Sequence, residues 1–498
     1  MARRDFRPHV LALPCGCGGS RLVNPQSYIK GLPPWPRSLR LARCLPTPLA
    51  IMKLITTLAA ASAPLLTSAC LLPEGRDGST SSPIGRRQAS TRNGIPVGTG
   101  DRFNGGTVAP RGLGTQASST AYTSLLSVKE IETGFQALAT TYGFDTFNSP
   151  SKTYEGRTVF GGKIGGAGGK CNDAYRVFIN AAIHARERGA SDGLLYFVSD
   201  LLYANKNNVG LTYGRKAYTA ADVKKALSAG LVFIPLSNPD GVAYDQSSNS
   251  CWRKNRNPKS SGGNSDAIGV DLNRNFDFLW DYEKAFASSV SSSVASTIPS
   301  AETFHGTSPF SEPETRNIKW VLDTYSKVRW FVDLHSYAGD VLFSWGSDTN
   351  QGRYPYMSFL NTTYDSVRGI VSDTPGVGKG YGEYVPAAED ALNQGAAKRI
   401  GDGMSGAAGR TYTVMQSSAL YPTSGASDDY AYSRHFANSS LNTVHSYTIE
   451  FGFGNSAASC PFYPSQSQYN SNLREIAGGF MELLLAATDL GLGEPTKC

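Results

Sequence analysis

His184-Ala185-Arg186-Glu187 and, far downstream, His335-Ser336-Tyr337 put two imidazoles and a carboxylate into one chain. A His₂Glu set suits catalytic zinc, where three protein ligands leave the fourth position open for water. Residues i and i+3 share one face of a helical turn, so His184 and Glu187 can point at one ion. Tyr175 to Ile183 reads as a buried strand, and a helical pattern begins near Ser191. The pair therefore sits where a strand ends and a helix starts, a usual address for ligands in open α/β sheets. His335 closes an apolar run from Trp330. A lone histidine there would read as a core residue, so its candidacy rests on the pair upstream.

Further blocks carry groups that could act on a substrate. Ser237-Asn238-Pro239-Asp240-Gly241 precedes Trp252-Arg253-Lys254-Asn255-Arg256, and Gly269-Val270-Asp271-Leu272-Asn273-Arg274-Asn275 follows. Tyr421-Pro422-Thr423-Ser424-Gly425-Ala426-Ser427-Asp428-Asp429-Tyr430 and Tyr447-Thr448-Ile449-Glu450-Phe451 complete the set. In this order the blocks resemble the zinc metallocarboxypeptidases of the carboxypeptidase A/B type, from about Tyr122 to near the C-terminus.

The resemblance implies a secreted exopeptidase that hydrolyses the last peptide bond of peptides and proteins. It implies one Zn²⁺ per chain on His184, Glu187 and His335, with Asp271 orienting the first histidine through its second ring nitrogen. Glu450 would be the general base and acid, and Arg253 would stabilise the developing oxyanion. Asn273 and Arg274 would grip the substrate's terminal carboxylate, a task that the planar guanidinium fork performs bidentately. Arg186 matches a further carboxylate-binding position, and Tyr421 the tyrosine that closes over the substrate terminus. Asp428 matches the floor of the pocket for the last side chain. A carboxylate there implies a preference for C-terminal Lys or Arg, because a buried Asp is costly unless a cation pairs with it. Gly346 resembles the A type instead, and Asp429 is the adjacent carboxylate, so an apolar or dual pocket stays open. Two other readings compete: a different zinc amidohydrolase on the same scaffold, and a binding protein without chemistry. Asn273, Arg274 and Tyr421 favour the exopeptidase, since each serves a free α-carboxylate; the intact ligands and Glu450 argue against a purely binding role.

The elements that must hold these groups alternate between strand and helix patterns. Helical spacing runs from Val128 to Tyr142, Asp192 to Ala204, Pro313 to Tyr325 and Asn472 to Thr488. Strand patterns cover Thr158 to Phe160, Arg176 to Ile183, Leu231 to Leu236, Trp330 to His335 and Thr443 to Phe453. This alternation predicts one α/β domain over residues 122–498, with a mixed, mostly parallel sheet covered by helices on both faces.

Upstream, Met52-Lys53 followed by the apolar, small-residue run to Ala69 has the form of a secretory signal peptide. Residues 1–51 then read as an upstream extension, 52–69 as the signal peptide and 70–121 as a linker or short propeptide rich in Gly, Ser, Thr and Pro. Seven Arg and one Lys against one Asp in residues 1–51 already equal the net charge of +7. The basic balance therefore gives no ground for a nucleic-acid or membrane partner, and a monomer is expected. Cys171, Cys251, Cys460 and Cys498 fall in the catalytic region. They allow up to two disulfides in three connectivities. Asn361-Thr362-Thr363 and Asn438-Ser439-Ser440 are glycosylation acceptors in a eukaryotic host.

Overall fold

The computed structural model describes residues 92–166 and 171–494. The upstream extension, the signal peptide and Cys498 lie outside the described residues. The centre is an eight-stranded sheet. In chain order its strands are β1 (Asp145–Lys152), β2 (Thr158–Ile164), β3 (Val177–Ala181), β4 (Leu231–Ile234), β5 (Trp330–His335), β6 (Asp340–Phe343), β7 (Thr413–Gln416) and β8 (His445–Glu450). Their spatial order is β1-β2-β4-β3-β5-β8-β6-β7. The pairs β3/β4, β3/β5, β5/β8 and β6/β7 are parallel; β1/β2, β2/β4 and β6/β8 are antiparallel. The sheet is mixed and mostly parallel, as the alternation of elements predicts.

Period-two alternation divides each central strand between two cores. Val177, Ile179, Leu231, Phe233, Trp330, Val332, Tyr447 and Ile449 face one core. That core is closed by helices Val128–Tyr142, Ala190–Asn207, Ala387–Ala408 and Gln466–Leu490. Phe178, Val232, Ile234 and Phe331 face the other, closed by helices Pro313–Thr324 and Ser427–Ala437 and by the irregular run through Leu272, Phe276 and Phe278. Ser127 and Ser465 begin their helices with capping boxes to Glu130 and Gln468, which satisfy two otherwise orphaned backbone donors each.

On the second face the polar residues of the central strands collect at one end. Asp333 and His335 alternate in phase with Phe331 and lie beside Thr448 and Glu450, because β5 pairs with β8 in the register Asp333↔Thr448 and His335↔Glu450. The sheet therefore delivers His335 and Glu450 side by side, at the carboxyl ends of two parallel strands.

Residues 92–121 pack onto this domain, where composition alone reads as linker. Ile95, Phe103 and Leu113 are buried in the first core. Arg102 pairs with Glu130 at 2.6 Å, and the Ile95 amide donates to Pro464 O at 2.7 Å. These anchors are too sparse to give a hydrophobic period, so the packing is invisible to a pattern reading. Cys251 and Cys460 form a disulfide, and Cys171 is disulfide-bonded as well. Among the described residues no helix is long and apolar enough to cross a membrane.

Candidate active site

The chain leaves β3 at Ala181 and turns through His184 to Glu187 before the helix starts at Ala190. The sequence spacing suggests a helical turn for this pair. The structure gives a tight turn instead, with the Glu187 amide donating to His184 O at 3.4 Å. The geometric result is the same. His184 Nδ1 lies 2.7 Å from Glu187 Oε1, and His335 Nδ1 lies 3.1 Å from His184 Nδ1 and 3.3 Å from Glu187 Oε2. One ligand atom from each of the three residues falls within 4.8 Å of the others, and all three side chains are buried.

What lies behind the two rings fixes their chemistry. His184 Nε2 is 3.0 Å from Asp271 Oδ1, and His335 Nε2 is 3.3 Å from Asp333 Oδ2. Asp271 holds a proton on His184 Nε2 and turns its Nδ1 towards Glu187, the tautomer that a metal ligand requires, while Asp333 stands as the charged neighbour behind His335 Nε2. This donor set fits a zinc ion with an open fourth position. Burial alone would raise the Glu187 carboxyl, but the charges of His184 and His335 outweigh it and hold the group well below the usual range. Burial would lower His335; Asp333 and Glu187 together carry it well above its ordinary value instead. Sequence reasoning missed Asp333, although its position two residues before His335 on a strand puts both on one face.

Asp271 serves two groups at once. Its Oδ1 accepts from the Asn273 amide at 3.1 Å as well as meeting His184, and its Oδ2 accepts from Arg253 Nε at 3.0 Å. Burial pushes this carboxyl up, but Arg253, His184 and Arg274 outweigh it and keep the group ionised far below its ordinary range. The backbone repeats the tie, since the Ala185 amide donates to Arg253 O at 3.1 Å. One buried carboxylate thus sets the relative position of a ligand and of the cation proposed for the oxyanion.

A single cavity is lined by His184, His335, Glu450, Arg253, Asn273, Arg274, Tyr421 and Asp428. Eight of the sequence-selected residues therefore meet there, with Glu187 and Asp271 behind them. Arg274 is buried, with Nε donating to Val294 O and Nη1 to Asn273 O, both at 2.7 Å. Its Nη2 has no hydrogen-bond partner among the described residues. Asn273 Oδ1 accepts from the Ser427 amide at 2.8 Å, which fixes the side-chain amide beside Arg274.

Of the two adjacent carboxylates, Asp428 lines the cavity, together with Leu342, Ser417, Leu420 and Thr448. Its Oδ2 accepts from Thr448 Oγ1 at 3.0 Å, and burial pushes its carboxyl above the ordinary range. Asp429 turns away and accepts from the Gly346 amide at 2.9 and 3.0 Å. Arg186 does not line this cavity. It is buried beside the ligand turn, where its Nη1 donates to both oxygens of Glu302 at 2.9 Å and its guanidinium lies 4.3 Å from the Phe462 ring centroid. No spacing signal links Arg186 to Glu302, a contact made only by the fold.

The family described as "Zinc carboxypeptidase" matches residues 133–477. The chain is 30% identical to zinc carboxypeptidase A 1 of Drosophila melanogaster over 60% of its own length and 56% of that protein's. It is 29% identical to carboxypeptidase B of Astacus astacus, over 45% of this chain and 65% of that one. The chain thus covers less than two thirds of either relative. Among solved structures, thrombin activatable fibrinolysis inhibitor aligns with a TM-score of 0.54 at 20% identity, over 78% of this chain and 79% of the other. Carboxypeptidase A from Helicoverpa armigera aligns with a TM-score of 0.51 at 21% identity, over 75% and 77% of the two chains. At these identities the structural likeness speaks for the fold.

Proposed function

The chain belongs to the zinc carboxypeptidase family, and from that premise we propose that it removes single residues from the free C-termini of peptides and proteins. The observation that carries this reading is Arg274 Nη2. It is a buried guanidinium nitrogen without a partner among the described residues, on a side chain that lines the catalytic cavity. Leaving such a donor unpaired costs about 1–3 kcal/mol, a penalty that a bound carboxylate removes.

One zinc ion would be held by His184, Glu187 and His335. When bound, it supplies Lewis-acid polarisation of a carbonyl oxygen and lowers the pKa of a water. The remaining work falls to the chain's own residues. Arg274 and Asn273 fix the terminal carboxylate. Glu450, held beside His335 by strand register, takes the proton of the attacking water and passes it to the leaving amine. Arg253, oriented by Asp271, meets the negative charge that develops on the carbonyl oxygen. Tyr421, after the one-turn helix Ser417–Leu420, closes the cavity over the substrate terminus.

The test compares blocked dipeptides with free and amidated C-termini. The free acid is hydrolysed and the amide is not, and Arg274→Ala lowers kcat/KM for the acid while leaving the poor use of the amide alone. Equal hydrolysis of the two forms by the wild type would remove the exopeptidase reading.

For the last side chain we infer a preference for Lys or Arg, supported by the Asp428 carboxylate in the cavity wall. Leu342 and Leu420 line the same cavity and favour a second reading, an apolar or dual pocket. Wild type should prefer C-terminal Arg and Lys over Phe and Leu, and Asp428→Ile should reverse the order. A ratio unchanged by the substitution would show that Asp428 does not select. We also propose export from the cell. The buried disulfide at Cys460 supports it, since such bonds persist in oxidising compartments.

A further inference from the structure

Helix Pro239–Ser248 supplies no side chain to the catalytic cavity, yet both its ends are tied to the two segments that carry the ligand turn and Arg253. At its start the Asn238 side chain donates to Ile183 O at 3.0 Å, next to His184, and to Lys254 O at 3.2 Å, next to Arg253. Towards its end the link is made by Asp245, which is fully buried. Its Oδ1 accepts from the Trp252 amide at 2.9 Å and from Tyr463 Oη at 2.6 Å. Its Oδ2 accepts from Arg188 Nε at 2.9 Å and from Nη2 at 2.8 Å. These donors fill the roughly four acceptor positions that a carboxylate offers.

The partners are chain neighbours of the groups at the site. Arg188 follows Glu187, and Trp252 precedes Arg253. Asp271 joins His184 to Arg253 through their side chains. Asp245 makes a second tie between the same two segments, one residue beyond Glu187 and one before Arg253. Arg188 is itself buried, its guanidinium 3.5 Å from the Tyr463 ring centroid, with Nη2 also donating to Asp245 O at 2.9 Å and to Asn249 Oδ1 at 3.0 Å. The disulfide from Cys251 to Cys460 closes the frame, and the Cys251 amide donates to Tyr463 Oη at 2.8 Å. A buried pair of this kind adds little net stability, because desolvation offsets the attraction. It does hold its partners to one arrangement, since any displacement leaves a desolvated group unpaired. We propose that Asp245 is a positioning residue: through Arg188 and Trp252 it fixes Glu187 and Arg253 relative to one another, and so supports both zinc retention and oxyanion stabilisation. The second of these effects rests on the exopeptidase reading of the site.

The experiment compares the zinc-loaded wild type with Asp245→Asn, Arg188→Met and the double variant. It follows zinc release to a chelator, the thermal midpoint, and kcat and KM on a blocked dipeptide with a free C-terminus. Each single substitution leaves one buried charge unpaired and should lower the midpoint, and the double variant should regain most of that loss. All three should release zinc about tenfold faster than wild type and show a kcat per zinc-loaded site about tenfold lower, with KM within about twofold. A double variant that recovers wild-type zinc release and kcat together with its stability overturns the proposal, because the role of Asp245 is then merely structural. Wild-type zinc release in the single variants overturns it as well. Where a single variant does not fold, the double variant decides. A wild type that cleaves no free-acid peptide at full zinc occupancy removes the exopeptidase reading, and the zinc-release comparison still decides on Asp245.

Discussion

Asp271 and Glu450 show how much a single residue can be asked to do. Asp271 orients His184 with one oxygen and Arg253 with the other, so its loss would disturb ligand and cation together. Glu450 lies on the strand next to His335, in direct register with it. Glu450→Gln keeps the size and shape of the side chain but cannot accept the proton. The variant should fold and retain zinc while kcat falls by about 10²–10⁴. Metal content and single-turnover rates check this, and a variant with near wild-type kcat would exclude Glu450 as the acid–base group. At this scale the sequence was most informative where residues sit close together, as in His184-Ala185-Arg186-Glu187. Asp333 was within reach, two positions from His335 on a strand. Glu302 was not, because only the path of the chain between sequence-distant segments brings it to Arg186.

Elements transmit these positions, and some of their polar contacts are buried deeply enough to titrate abnormally. Glu314, in the first turn of helix Pro313–Thr324, accepts from Asn255 Nδ2 at 3.0 Å. Asn255 in turn accepts from the Val270 amide at 2.9 Å, next to Asp271. Burial, opposed by the Asn255 hydrogen bond and reinforced by the charges of Glu312 and Asp240, pushes Glu314 up to about 8 from an ordinary value of 4.5. The folded state therefore holds this proton more tightly than the unfolded chain. Its stabilising contribution is complete below the unfolded value and is lost as pH rises through the folded one, at about 1.4 kcal/mol per pH unit between the two. Glu314→Gln should flatten the fall in stability between pH 5 and pH 8, and denaturant midpoints across that range measure it. Parallel profiles for the two proteins would show that Glu314 does not titrate there.

Legibility at the element scale followed burial. The central strands stood out because both faces are apolar and covered. Edge strand β1 did not, since Asp145, Asn148 and Ser149 break its pattern. Helix Ala387–Ala408 escaped because Gly395, Gly401, Gly403 and Gly406 read as helix breakers. One of these, Gly403, has a packing reason: a Cβ on it would lie 2.6 Å from Gly478 O, and one on Gly478 of the facing helix would lie 2.7 Å from Gly403 O. The small residues let this helix and Gln466–Leu490 touch backbone to backbone, a relation between distant segments that no local pattern contains.

For the molecule as a whole, the alternation of strands and helices was enough for the fold class, and the spread of the site blocks was enough to place one cavity at the carboxyl ends of the central strands. The domain's extent was less visible. Residues 92–121 bury only scattered side chains, so their attachment depends on contacts such as Arg102 with Glu130. The direct measurement of the central claim is mass spectrometry of an unblocked peptide, ending in Arg or Lys, during incubation with the zinc-loaded protein. The account predicts a ladder in which single residues leave in order from the C-terminus, stopping when a chelator is added. Internal fragments, loss from the N-terminus, or an intact peptide beside a fully zinc-loaded protein would contradict it.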